Sequence, residues 1–145
     1  MSSDNMEIDC LFCSIVNGGI DAYRVFENEH TLVILDINPI NPGHLLVIPK
    51  KHFSRLKDMD EMYGVEVFRT VMKMENLVSA CGCSGTNILQ NNGKVAGQEI
   101  GHVHFHIIPR FTDDGFRFKR RKVPVTPAML DFALDYYRKK LESSI

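Results

Sequence analysis

Three histidines recur at alternate positions in a short apolar stretch, His102-Val103-His104-Phe105-His106-Ile107-Ile108-Pro109. Side chains along an extended strand point to opposite faces in turn. This spacing therefore puts the three imidazoles on one face and Val103, Phe105 and Ile107 on the other, toward a core. Two chemistries suit such a row. Imidazoles two residues apart can ligate one transition-metal ion. Neutral imidazole is also a nucleophile near pH 7, and neighbouring rings can hydrogen-bond phosphoryl oxygens. A third reading leaves the histidines chemically silent on a solvated face.

The residues just upstream favour phosphate. Asn91-Asn92-Gly93 and Ala96-Gly97-Gln98 form a polar turn whose glycines permit close backbone approach. Asn91 and Gln98 can donate amide N–H groups to oxygen without adding charge. Cys10-x-x-Cys13 has the spacing of half a metal site. Cys81-Gly82-Cys83 has no such partner and reads as a helix-end feature. The run Lys119-Arg120-Arg121-Lys122 reads as a solvated loop.

The 145 residues suit one domain with a single core, and 44% hydrophobic with 24% charged residues is an ordinary globular balance. A formal net charge of −1 argues against a surface that binds nucleic acid or anionic membrane along its length. No apolar run reaches membrane-spanning length. The polar, acidic segment 1–9 lacks the pattern of a secretory signal and reads as a loose tail, so a cytoplasmic protein with reduced or metal-bound thiols is expected.

The elements that must carry these groups follow from periodicity. A short helix is expected over residues 12–17, stopped by Gly18-Gly19, then strands over 23–26, 31–35 and 44–49. Residues 58–80 read as a long helix on the spacing of Met62, Val65, Phe68 and Met72. Strands are expected over 86–90 and 102–109. A final helix over 127–141 has Thr126 as cap, with Met129, Phe132, Ala133 and Tyr136 on its apolar side. Strands that flank rather than alternate with helices predict an α+β fold with an antiparallel sheet.

Over most of its length the chain resembles the histidine triad (HIT) family. The likeness is carried by CLFCSIVNG, LDINPINPGHLLVIPKKH and NNGKVAGQEIGHVHFHIIPR; the tail after Phe111 resembles it weakly. The resemblance implies one HIT domain with a five-stranded antiparallel sheet, a long central helix and a C-terminal helix, with residues 112–145 as an extended C-terminal segment. It gives His104 the role of nucleophile on a nucleotide α-phosphate. His106 would hydrogen-bond the phosphate or leaving group, His102 would orient His104, and His44 would be the fourth histidine of the site. It also implies phosphate contacts from Asn91, Gly97 and Gln98 and a ribose contact from Asp36. Phe12, Ile15, Ile34, Ile37 and Leu46 would form the base pocket.

The same resemblance implies a structural zinc site from Cys10, Cys13, His52 and His102, a purine (AMP-type) ligand and a homodimer. The expected activity is hydrolysis of nucleoside phosphoramidates through a nucleotidyl-histidine intermediate. The alternatives are a diadenosine polyphosphate hydrolase and a nucleotide-binding scaffold. Glu99 departs from family members that carry Ser or Thr there, and neither Pro109-Arg110 nor the absence of Trp fits the phosphoramidase branch.

Overall fold

Alternation along the strands sorts the apolar residues into two layers, one on each face of a sheet. In the computed structural model, which describes residues 9–144, the five strands are β1 (Arg24–Glu27), β2 (Thr31–Leu35), β3 (Leu45–Pro49), β4 (Gly85–Leu89) and β5 (Phe105–Arg110). All pairings are antiparallel, in the order β1-β2-β3-β5-β4. The α+β class and the five-stranded antiparallel sheet are those expected from the sequence. The tail expected over residues 1–9 lies almost wholly outside the described residues.

On one face Val33, Leu45, Val47 and Ile107 pack against Val67, Val71, Met74 and Val78 of the long helix α2 (Glu61–Ser79). On the other, Leu32, Ile34, Leu46 and Ile48 pack against Phe12, Cys13 and Ile15 of the short helix α1 (Leu11–Val16). Neighbours in β2 and β3 therefore serve opposite cores, as period-two alternation requires. Asp60 caps α2 by accepting from the Tyr63 N–H at 2.9 Å.

The structure departs from expectation at three places. β5 begins at Phe105, opposite Val47, and not at residue 102. Before it the chain leaves β3: the Val103 N–H bonds the Phe53 carbonyl at 2.7 Å, and the His102 ring bonds the Pro49 carbonyl at 2.9 Å. Only His106 of the three alternating histidines lies in the paired strand. Second, the stripe Met62, Val65, Phe68 and Met72 faces outward, each residue about half exposed. The face of α2 that enters the core is offset from it and consists of Val67, Thr70, Val71, Met74 and Val78. Third, the C-terminal helix α3 (Pro127–Ser143) is capped by Thr126 as expected but buries none of its residues. Among the described residues, no helix is long and apolar enough to cross a membrane.

Candidate active site

Beside α1, on the sheet face away from α2, lies a cleft of ≈ 810 Å³, the size of a small-molecule site. Phe12, Ile15, Ile34 and Leu46 form its buried apolar wall, and Ile37, three-quarters exposed, sits at its rim. Asp36, His44, His104 and His106 line it further along, followed by Asn91, Gly97 and Glu99 from the loop before the histidines. His104 and His106 thus open into a cleft with an apolar side.

Hydrogen-bond partners fix which ring nitrogens carry protons. The His104 Nδ1 lies 2.7 Å from the His102 carbonyl oxygen. A carbonyl only accepts, so Nδ1 of the neutral ring carries the hydrogen and Nε2 keeps its lone pair. His44 Nδ1 accepts the Ile40 N–H at 3.1 Å, which leaves the proton on Nε2. That N–H lies 2.9 Å from His106 Nδ1 and 3.5 Å from an Asp36 carboxylate oxygen. His106 Nδ1 is then the acceptor, and its Nε2–H remains as a donor. The result is one ring with a lone pair beside another with a donor, their centroids 5.0 Å apart.

Burial keeps these rings neutral. It pushes His106 down to about 4, with His104 and His44 adding in the same direction. Burial also lowers His104, against the bond to the His102 carbonyl and the fields of Asp36 and Glu99. His44 is lowered in the same way, with Asp36 opposing. Desolvation disfavours the imidazolium wherever water is excluded.

Two expected site residues are placed differently. Gln98 is buried and does not line the cleft. Its amide nitrogen donates to the carbonyls of Ser54 and Ile100 at 2.7 and 3.0 Å, and its oxygen accepts the Gly93 N–H at 2.7 Å. Its polar atoms are engaged with backbone, so it braces the loop and offers no free donor to phosphate. Asn91, by contrast, does line the cleft, and its amide also holds the Gly97 carbonyl at 3.3 Å. Gly97 has φ +95°, and an added Cβ there would meet the Asn91 amide at 3.3 Å, so both conformation and space call for glycine.

His102 is fully buried away from the cleft and supports His104 through its backbone carbonyl, not its ring. The ring belongs to a second cluster. Cys10 Sγ and Cys13 Sγ lie 3.3 and 3.5 Å from His102 Nδ1, and Cys13 Sγ lies 3.3 Å from His52 Nδ1. One ligand atom from each of the four fits within a span of 4.8 Å. In a tetrahedral site with ordinary Zn–S and Zn–N bonds, sulfur and nitrogen ligands stand about 3.5 Å apart, so the spacing suits a metal ion. The His102 Nε2–H is given to the Pro49 carbonyl, which frees Nδ1 for a metal. Burial holds this ring near 4, so its lone pair is available at neutral pH. Asp36, His44 and His106 also approach one another closely, but the Ile40 amide keeps a proton on the His44 nitrogen that would have to ligate. Of these two clusters among the described residues, the Cys/His one is therefore suited to a metal.

Sequence reasoning missed the Ile40 amide, whose role depends on the turn of 36–43 and on no side-chain type. It also missed a clasp that fastens that turn. Arg110 grips Asp114 through two bonds of 2.7 and 2.8 Å, and Asn41 donates to both Asp114 and the Pro109 carbonyl at 2.9 Å. The guanidinium, together with the Phe111 and Phe116 amides, holds the Asp114 carboxyl well below the usual range. The i, i+4 spacing of Arg110 and Asp114 was the available signal.

This fold, with His104 and His106 in a cleft of this size and His102 buried behind them, is the architecture of histidine triad proteins. The family model described as the HIT domain matches residues 17–113, and the chain belongs to the histidine triad family. It is 36% identical over 121 residues to the adenosine 5'-monophosphoramidase of Schizosaccharomyces pombe, covering 83% of this chain and 89% of that one. Its structure resembles the histidine triad nucleotide-binding protein from Candida albicans, with a TM-score of 0.86, 29% identity and coverage of 94% and 100%. It also resembles a Zn-bound histidine triad family protein from Mycobacterium smegmatis, with a TM-score of 0.66, 35% identity and coverage of 81% and 86%.

Proposed function

We propose that the protein hydrolyses adenosine 5'-phosphoramidates and related AMP conjugates, with His104 as the nucleophile. The observation that carries this reading is the 2.7 Å bond from His104 Nδ1 to the His102 carbonyl, which leaves the Nε2 lone pair directed to chemistry in the cleft. The base lies against Phe12, Ile15, Ile34, Ile37 and Leu46, and the ribose hydroxyls meet Asp36. Asn91 and the His106 Nε2–H hold phosphoryl oxygens. His104 Nε2 forms a bond to phosphorus as the P–N bond to the leaving amine breaks. The electron pair departs on the amine nitrogen, which takes up a solvent proton relayed through His106. Water then attacks the nucleotidyl-histidine, releasing AMP and restoring the neutral ring. The phosphoramidase activity named for the fission-yeast relative supports this choice of substrate.

Zinc is the ion the Cys10, Cys13, His52 and His102 set suits best, two thiolates and two imidazoles in tetrahedral spacing. It would tie the start of α1 to the segment after β3 and the segment before β5, and it would supply no step of the chemistry. The need to keep two thiolates reduced goes with a cytoplasmic setting. A two-fold dimer is supported by the outward stripe of α2 and by Ile88, exposed on the edge strand β4 and on the same sheet face.

Two expectations test the site. Asp36→Asn removes the charge that accepts two ribose hydroxyls while the turn keeps its shape. KM for an AMP amide should rise about tenfold with kcat little changed in steady-state assays. A fall in kcat alone would move Asp36 from ribose binding to the chemistry. The second concerns pH. Because burial lowers the histidines, the neutral forms persist below the usual 6.5, and kcat/KM should stay flat from pH 8 through 6.5 and fall only at lower pH. Stability follows the same sign: between 6.5 and about 4 the unfolded chain binds more protons at His106, so acidification weakens the fold. A drop in kcat/KM centred at 6.5 or above would show exposed, unshifted rings.

A further inference from the structure

The charges around the cleft are one-sided. Among the described residues that line it are three carboxylates, Asp21, Asp36 and Glu99, and no Lys or Arg. An AMP amide carries a single negative charge on its phosphate, which neutral donors such as Asn91 and His106 can hold. Each added phosphate brings further charge with no cation to offset it. The carboxylates also have different surroundings. Asp36 is engaged by the Asn38 N–H at 2.8 Å and by His44 at 3.5 Å. Glu99 is exposed and makes no hydrogen bond or ion pair among the described residues. It lies on the loop that brings Asn91 and Gly97 into the cleft. With the base on the apolar wall and the ribose at Asp36, this loop is left to the phosphate and whatever leaves it.

We propose that Glu99 selects the leaving group by charge, so that the preferred substrates are AMP amides of amines bearing a second positive charge, and anionic leaving groups are disfavoured. This rests on the hydrolase reading above and specifies the substrate class of that same site. The carboxylate attracts a cationic group beside the breaking P–N bond and repels an anionic one, an interaction of about tenfold at partly solvated range. That the Glu99 field reaches the His104 ring agrees with its closeness to the reacting centre.

The test uses the full-length protein and three AMP amides of matched size: of ethylenediamine, with a terminal ammonium; of propylamine, uncharged; and of glycine, with a carboxylate. The wild type should show kcat/KM for the cationic amide about tenfold above the uncharged reference, and the anionic one below it. Glu99→Gln keeps the shape and should bring the three within about threefold of one another. Glu99→Lys should invert the order. Raising salt should shrink the wild-type preference, since the pair is partly exposed. Equal relative rates in wild type and Glu99→Gln, with all three amides turned over, would overturn the selectivity and leave the hydrolase reading standing. No turnover of any amide by the wild type would overturn both.

Discussion

Replacing His104 by Ala should lower turnover of an AMP amide by about 10⁴-fold or more while leaving AMP affinity within a few-fold of wild type. The expectation follows from what the ring does and what it leaves untouched. No other imidazole in the cleft presents a lone pair to phosphorus: His106 Nδ1 accepts from His44, and His44 Nδ1 accepts from the Ile40 amide. Removing a nucleophile that no neighbour can replace eliminates the covalent route, with losses of this order. Binding rests on other groups, the apolar wall, Asp36 and Asn91, and survives. Calorimetry with AMP and a steady-state assay on the same preparation check both halves. Turnover within tenfold of wild type would remove His104 from the nucleophile's place.

The second large effect concerns the metal. Purified protein should hold about one zinc per chain, and Cys10→Ser should lower the midpoint of thermal unfolding by on the order of 10 °C, corresponding to about 3 kcal/mol. The sequence separation of the ligands explains the size. Cys10 and Cys13 lie at the start of α1, His52 follows β3, and His102 precedes β5. One ion would close long loops and satisfy buried thiolates together. Because the His102 ring points away from the cleft, chelation below the melting temperature should leave phosphoramidate turnover within a few-fold. Metal-free protein as stable as the untreated sample would reject the site. Loss of turnover on chelation with the fold intact would give the metal a part in the chemistry.

Much of this was legible in the sequence. The strands expected over 31–35 and 44–49 are there as β2 and β3, and in the structure their side chains alternate, Leu32, Ile34, Leu46 and Ile48 on one face and Val33, Leu45 and Val47 on the other. The motif order brought His44, Asp36, Asn91, His104 and His106 to one cleft. Period two also led the expectation astray at β5. Alternation records which way side chains point, and it does not record where a strand stops pairing; the bond from Val103 to Phe53 decides that. On α2 a stripe of large apolar residues at helical spacing was real yet outward, because Val67, Val71 and Val78 form a second stripe on the same helix. Gln98 shows a further limit. An amide beside a glycine can serve a ligand or the backbone, and only its three partners tell which.

The covalent intermediate offers the most direct test. Wild-type protein mixed with excess AMP amide, quenched in base within milliseconds and digested, should yield one peptide heavier by a single adenylyl group, with fragmentation placing it on His104. The same peptide from His104→Ala should be unmodified. An adduct on His106, His44 or any other side chain, or pre-steady-state turnover with no adduct at all, would contradict the assignment of the His104 Nε2 as the atom that attacks phosphorus.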